Sequence, residues 1–118
     1  MRTHSILSIL ALLAAFVFAP AARAATIAEL VAHPDAYDGQ TVTVTGTVDI
    51  ALPVGTESAY YLRDGATKIT VVSRNAPPAA NAALSVSGTM RVFHEGDGGP
   101  EENKFPPWIF ETARTPAP

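Results

Sequence analysis

Two stretches of this chain alternate apolar and hydroxyl-bearing residues with a period of two, and each is broken by a glycine at the same step. They are Val42-Thr43-Val44-Thr45-Gly46-Thr47-Val48 and Leu84-Ser85-Val86-Ser87-Gly88-Thr89-Met90, offset by 42 residues. A period of two places successive side chains on opposite faces of a strand. Two copies are too few for a repeat array. They predict two long strands, each bent at its glycine, where a missing side chain lets the ribbon curl and serve two sheets of a small barrel. Val42, Val44, Val48 and Ile50 are predicted to point inward from the first, and Leu84, Val86, Met90 and Val92 from the second.

The elements around these strands follow from local signals. Ala25–Ala32 predicts a short helix, with Thr26 as N-cap, Glu29 completing a capping box, and Ile27, Leu30 and Val31 at helical spacing. His33 precedes Pro34 and ends it. Asp35 to Gly39 reads as a turn. The first strand is predicted over Gln40–Asp49, with a loop at Leu52–Ser58 around Pro53 and Gly55. Ala59–Arg63 and Lys68–Ser73 are strands joined by an Asp64-Gly65 turn. Arg74–Ala83 has two prolines and five alanines; it reads as a connector with one helical turn. Leu84–Phe93 is the fourth strand, His94–Pro107 a long polar loop, and Trp108–Thr112 the last strand. A flexible tail is expected over 113–118.

Residues 1–24 have the pattern of a secretory signal peptide. A polar start carries Arg2, and an apolar run from Ile6 to Ala19 is too short for a bilayer core of about 20 apolar residues. Small residues then end in Ala22-Arg23-Ala24, an Ala-x-Ala cleavage pattern, with Ala19-Pro20-Ala21 a second one. Cleavage after Ala24 is expected, which places the mature protein in the periplasm or outside the cell with no transmembrane segment. It leaves 94 residues bearing six basic and eleven acidic side chains, a net charge of −5. That length makes one domain, predicted over 25–112. No cysteine is present. A disulfide framework, a thiolate metal site and a thiol nucleophile are therefore excluded.

Five strands, the first and fourth long and glycine-bent, are the inventory of the OB-fold, a five-stranded Greek-key barrel. The residues Glu29-Leu30, Tyr37-Asp38-Gly39, Val42 to Val48, Tyr61-Leu62-Arg63-Asp64 and Ile69-Thr70-Val71 resemble small exported bacterial OB-fold proteins. They are also similar to the anticodon-binding type of OB domain. The resemblance covers most of residues 26–93 and implies an all-β five-stranded barrel with a short N-terminal helix. Its motif encodes alternation and a bend, so it implies a fold and no activity. The exported haem chaperone of cytochrome maturation shares that fold, but its His-x-x-x-Tyr site is not carried over. His33-Pro34-Asp35-Ala36-Tyr37 has the spacing but lies before the barrel.

Function is read from the surface such a barrel presents. No serine, histidine and acid assemble into a catalytic pattern, so a non-enzymatic binding module without a cofactor is expected. Its ligand is expected to be a peptide, a glycan or a protein of the envelope. The outer face of the second and third strands would carry Tyr61, Arg63, Lys68 and Thr70, with Arg91 and Phe93 near them on the fourth. Trp108 and Phe110, at the edge of the long loop, would either add apolar anchors or plug the open end of the barrel. Aromatic rings and cations also suit single-stranded nucleic acid, the first alternative. The net charge of −5 argues against nucleic acid as a partner, since phosphate contacts dominate such affinities. A second alternative is a metal-binding envelope stress protein using the His94–Glu102 loop, although its spacing is not that of a calcium loop.

Overall fold

The computed structural model describes residues 22–93 and 106–118. Its elements in chain order are β1 (Arg23–Ala24), α1 (Ile27–Ala32), α2 (Pro34–Tyr37), β2 (Thr41–Val54), β3 (Glu57–Asp64), β4 (Thr67–Ser73), β5 (Ala83–Arg91) and β6 (Trp108–Pro116). Strands β2 to β6 close a five-stranded barrel in the order β2-β3-β4-β6-β5, with β5 pairing back onto β2. Every barrel pair is antiparallel except β4–β6, a parallel seam of three residue pairs. This is the OB-fold expected from the sequence.

Both glycines sit where the barrel turns. β2 pairs with β5 over Thr41–Thr47 and then passes to β3. A Cβ on Gly46 at that crossing would lie 2.7 Å from the Arg63 carbonyl oxygen. Gly88 lies at the register shift between β5 and β6. A Cβ there would lie 2.2 Å from the Phe110 carbonyl oxygen. The close approach of a neighbouring strand, as well as the bend, demands glycine at both places.

The interior is a single apolar cluster that includes Val42, Val44, Val48, Tyr60, Leu62, Val71, Val86, Met90 and Ile109. Helix α1 starts at the predicted cap, where Thr26 Oγ1 accepts from the Glu29 amide at 3.1 Å. It packs on β2, β3 and β4 and sends Ile27 and Leu30, both fully buried, into the cluster. The helical turn expected within Arg74–Ala83 does not form. That segment is strapped to β2 instead: the Asn81 amide donates to the Val48 carbonyl and the Val48 amide to the Ala82 carbonyl.

Other expectations are corrected by pairing that no local pattern encodes. Pro34–Tyr37 is a helical turn with proline at its first position, where a missing N–H costs nothing. The Leu52–Ser58 loop is a tight hairpin: β2 runs to Val54, and Gly55 (φ +63°) opens a two-residue turn before Glu57. Ile50 does not point inward and is 51% exposed. One extra residue bulges from β2 between Val48 and Ala51, which reverses the facing of everything beyond it. Ala51 then lies against the core while Ile50, Leu52 and Val54 face out. β5 ends at Arg91, so Val92 lies beyond the strand and is half-buried. β6 continues past Thr112 to Pro116, because Ala113 to Pro116 pair with Ser87 to Leu84. Arg23 and Ala24, placed in the leader by the sequence, pair with Val42 and Thr43.

Candidate functional site

Cross-strand register builds the site. Tyr61 stands opposite Thr70, Thr70 opposite Trp108, and Trp108 opposite Arg91. The neighbours Tyr60, Val71, Ile109 and Met90 are buried, so the alternation turns this row outward. A second row runs parallel to it: Leu52, Ala59, Val72, Phe110 and Thr89. The two rows cross β3, β4, β6 and β5, over roughly 14 Å from Tyr61 to Arg91 at the usual strand spacing.

Hollows line these rows. One of about 340 Å³ is walled by Thr70, Val72, Pro106 and Trp108. Another of about 140 Å³ lies against Ile50, Leu52, Ala59, Tyr61 and Thr70. A third, of about 660 Å³, reaches from Val72, Trp108 and Phe110 to Arg91, Val92, Asp38 and Glu57. Shared walls at Thr70, Val72 and Trp108 make them adjoining parts of one groove. Cations border the rings: Arg74 lies 5.3 Å from the Phe110 centroid and Lys68 5.7 Å from that of Tyr61. The groove offers ring faces, aliphatic walls and guanidinium groups, which is the chemistry of non-covalent stacking and ion pairing.

The residues singled out from the sequence are only partly gathered here. Tyr61 is 43% exposed on the row. Arg63 and Lys68 form the adjacent cross-strand pair. Lys68 is engaged by Asp49, Nζ to Oδ2 at 2.6 Å, and that ammonium holds the Asp49 carboxyl below its ordinary range. Arg91 closes the far end of the row. Phe93 lies two residues past β5, half-buried and off both rows. Thr70 stands on the row, as that face implies, and the expected apolar anchors Trp108 and Phe110 line the groove together with Val72. The place of Trp108 and Phe110 beside β4 depends on the parallel β4–β6 register, which no sequence pattern announces. The His94–Glu102 loop lies outside the described residues. Among those described, no three His, Cys, Asp or Glu side chains come together as a metal site, and no helix is long and apolar enough to cross a membrane.

Beneath the groove is a buried polar network. Glu111, 5% exposed, faces inward from β6. It accepts from the Tyr60 hydroxyl at 2.5 Å, the Ser73 hydroxyl at 2.5 Å and the Asn75 side-chain amide at 3.2 Å. Arg114 Nη1 stands 3.5 Å from its carboxylate, and Arg114 also donates to the Ala76 carbonyl. Strand alternation would send residues 111 and 114 to opposite faces. The bulge at Thr112 restores them to the same one.

Burial, and after it the hydrogen bond to Glu111, push the Tyr60 phenol above its ordinary pKa of 10.0. The folded state therefore binds this proton more tightly than the unfolded chain does. The resulting stability is complete below about pH 10 and declines as pH rises past the unfolded value. Denaturant titrations across the alkaline range should show that decline, and Tyr60→Phe should flatten it. An identical decline in the variant would assign it to other groups.

No protein-family model matches the chain, and no curated protein matches it. Solved structures do. The aspartyl-tRNA synthetase of Entamoeba histolytica matches 82% of this chain at 16% identity and a TM-score of 0.61. The chain spans only 22% of that synthetase's length. A Replication Protein A heterotrimer solved bound to single-stranded DNA matches 67% of this chain, and 57% of its own, at 22% identity and a TM-score of 0.51. The telomere capping protein Ten1 from Saccharomyces pombe matches 82% of both chains at 19% identity and a TM-score of 0.55. The Replication Protein A neighbour, solved bound to single-stranded DNA, overturns the expectation, drawn from net charge, that nucleic acid is an unlikely partner. Net charge averages over the whole chain, whereas the Tyr61–Arg91 row carries no acid, and stacking on a ring needs no net charge. At these identities the likeness is one of fold: the described chain is an OB-fold domain.

Proposed function

We propose that this domain is a non-enzymatic binding module that lays a single-stranded nucleic acid across the Tyr61–Thr70–Trp108–Arg91 row. The observation that carries this reading is the row itself: two aromatic side chains and a guanidinium brought into line on an open outer face, with Phe110 one row away. Each ring supplies a stacking platform, so the groove has room for about three bases. The Replication Protein A neighbour, bound to single-stranded DNA, supports the choice of ligand. The leader-like pattern of residues 1–24 supports a periplasmic or secreted location, which cell fractionation tests.

Trp108 is the chain's only tryptophan, so its emission reports directly on the groove. Titration with an oligothymidylate should quench it saturably. Tyr61→Ala should weaken binding by about 1–3 kcal/mol, roughly 5- to 150-fold. With only a few cations near the rows, the salt slope should be shallow, about −0.7 per phosphate met, and Arg91→Ala should remove one such increment. Unchanged Trp108 emission at millimolar oligonucleotide would reject the reading.

One observation favours a second ligand class. Asp38 and Glu57 line the hollow of about 660 Å³ beside Trp108, and their carboxylates suit a cationic peptide better than a phosphate backbone. Trp108 emission that responds to lysine-rich peptides and not to oligonucleotides would select it.

A further inference from the structure

The sequence offers two cleavage patterns with small residues at both key positions, Ala19-x-Ala21 and Ala22-x-Ala24. The folded domain distinguishes them. Arg23 and Ala24 pair in parallel with Val42 and Thr43, and the Ala25 amide donates to the Thr43 carbonyl at 3.1 Å. The Arg23 guanidinium lies 4.9 Å from the Tyr37 ring centroid and donates to Gln40 Oε1 at 3.3 Å. The Tyr37 hydroxyl in turn donates to Glu29 Oε2 at 3.0 Å, and Glu29 closes the helix cap with Thr26. Arg23 is thus the first link of a chain of contacts ending at the start of α1.

A cut after Ala24 removes that link and leaves Val42 and Thr43 of β2 without their β1 partners. It also creates an ammonium at Ala25, two residues before the start of α1. There the unpaired N–H groups and the positive end of the helix dipole oppose a cation. A cut after Ala21 keeps every one of these contacts and puts the new charge on exposed Ala22.

We infer that the processing site is the Ala21–Ala22 bond, so that Arg23 and Ala24 belong to the mature domain as its first strand. This rests on the export reading. The full chain, expressed in a bacterium with a signal peptidase, tests it through the intact mass and N-terminal sequence of the exported protein. The expected first residue is Ala22. An exported protein beginning at Ala25 overturns the assignment while upholding export, whereas an uncut chain beginning at Met1 overturns both. Ala21→Leu should abolish the Ala22 terminus, by accumulating the precursor or shifting the cut to Ala24, and Ala24→Leu should leave the Ala22 terminus unchanged. The reverse pattern also overturns the assignment.

Discussion

Gly88→Ala is expected to cost more than about 3 kcal/mol, because the added methyl would meet the Phe110 carbonyl oxygen at 2.2 Å. That oxygen is backbone on the paired strand, so relief requires β6 to move away from β5. A domain of this kind is stable by about 5–15 kcal/mol in all. The melting temperature should fall by at least roughly 12 °C. Gly65→Ala is the matched control. Its φ is +62°, but no atom lies within 4 Å of the added carbon, so it should lose only about 1–2 kcal/mol of backbone strain. Two variants that melt together would show that crowding at the β5–β6 bulge is not what demands glycine.

Glu111→Ala should be the other severe change. It strands the Tyr60, Ser73 and Asn75 donors and leaves the Arg114 guanidinium, 20% exposed, without its carboxylate. Removing one partner of a buried ion pair costs about 3–5 kcal/mol, most of it the desolvation of the charge left behind. Replacing both ends, Glu111→Leu with Arg114→Met, should recover much of that loss, since no buried charge then remains unpaired. Urea unfolding of the single and double variants measures this directly. A single variant within 1 kcal/mol of wild type would mean that water already compensates the network.

The barrel was legible because its cause is local. Alternation in Thr41–Val48 and Leu84–Met90 gives the inward faces, and a glycine in the middle of each gives the bend. The turn at Gly65 and the cap at Thr26 are likewise short-range signals. What was missed depends on partners distant in the chain. Alternation alone points Ile50 inward, but a bulge that only pairing with β3 defines turns it out. Glu111 reads as a surface acid until β6 is set beside Tyr60 and Ser73, 51 and 38 residues away. The site was half legible for the same reason. Tyr61, Arg63 and Lys68 follow from one hairpin, but joining Trp108 to them requires the parallel seam with β4.

That seam also governs how the molecule is made. β6 follows the other four barrel strands in the sequence, yet it fills the slot between β4 and β5. Four strands can form hairpins and ladders as they emerge, but the ring stays open until the fifth arrives. Closure must bring Trp108 beside Thr70 across a long span of sequence, so loop entropy is spent before any reward is collected. Assembly is therefore expected to be slow and all-or-none, completed only after synthesis has passed Pro116. Until then the nascent chain exposes the unpaired margins of β4 and β5 and depends on whatever chaperones attend it.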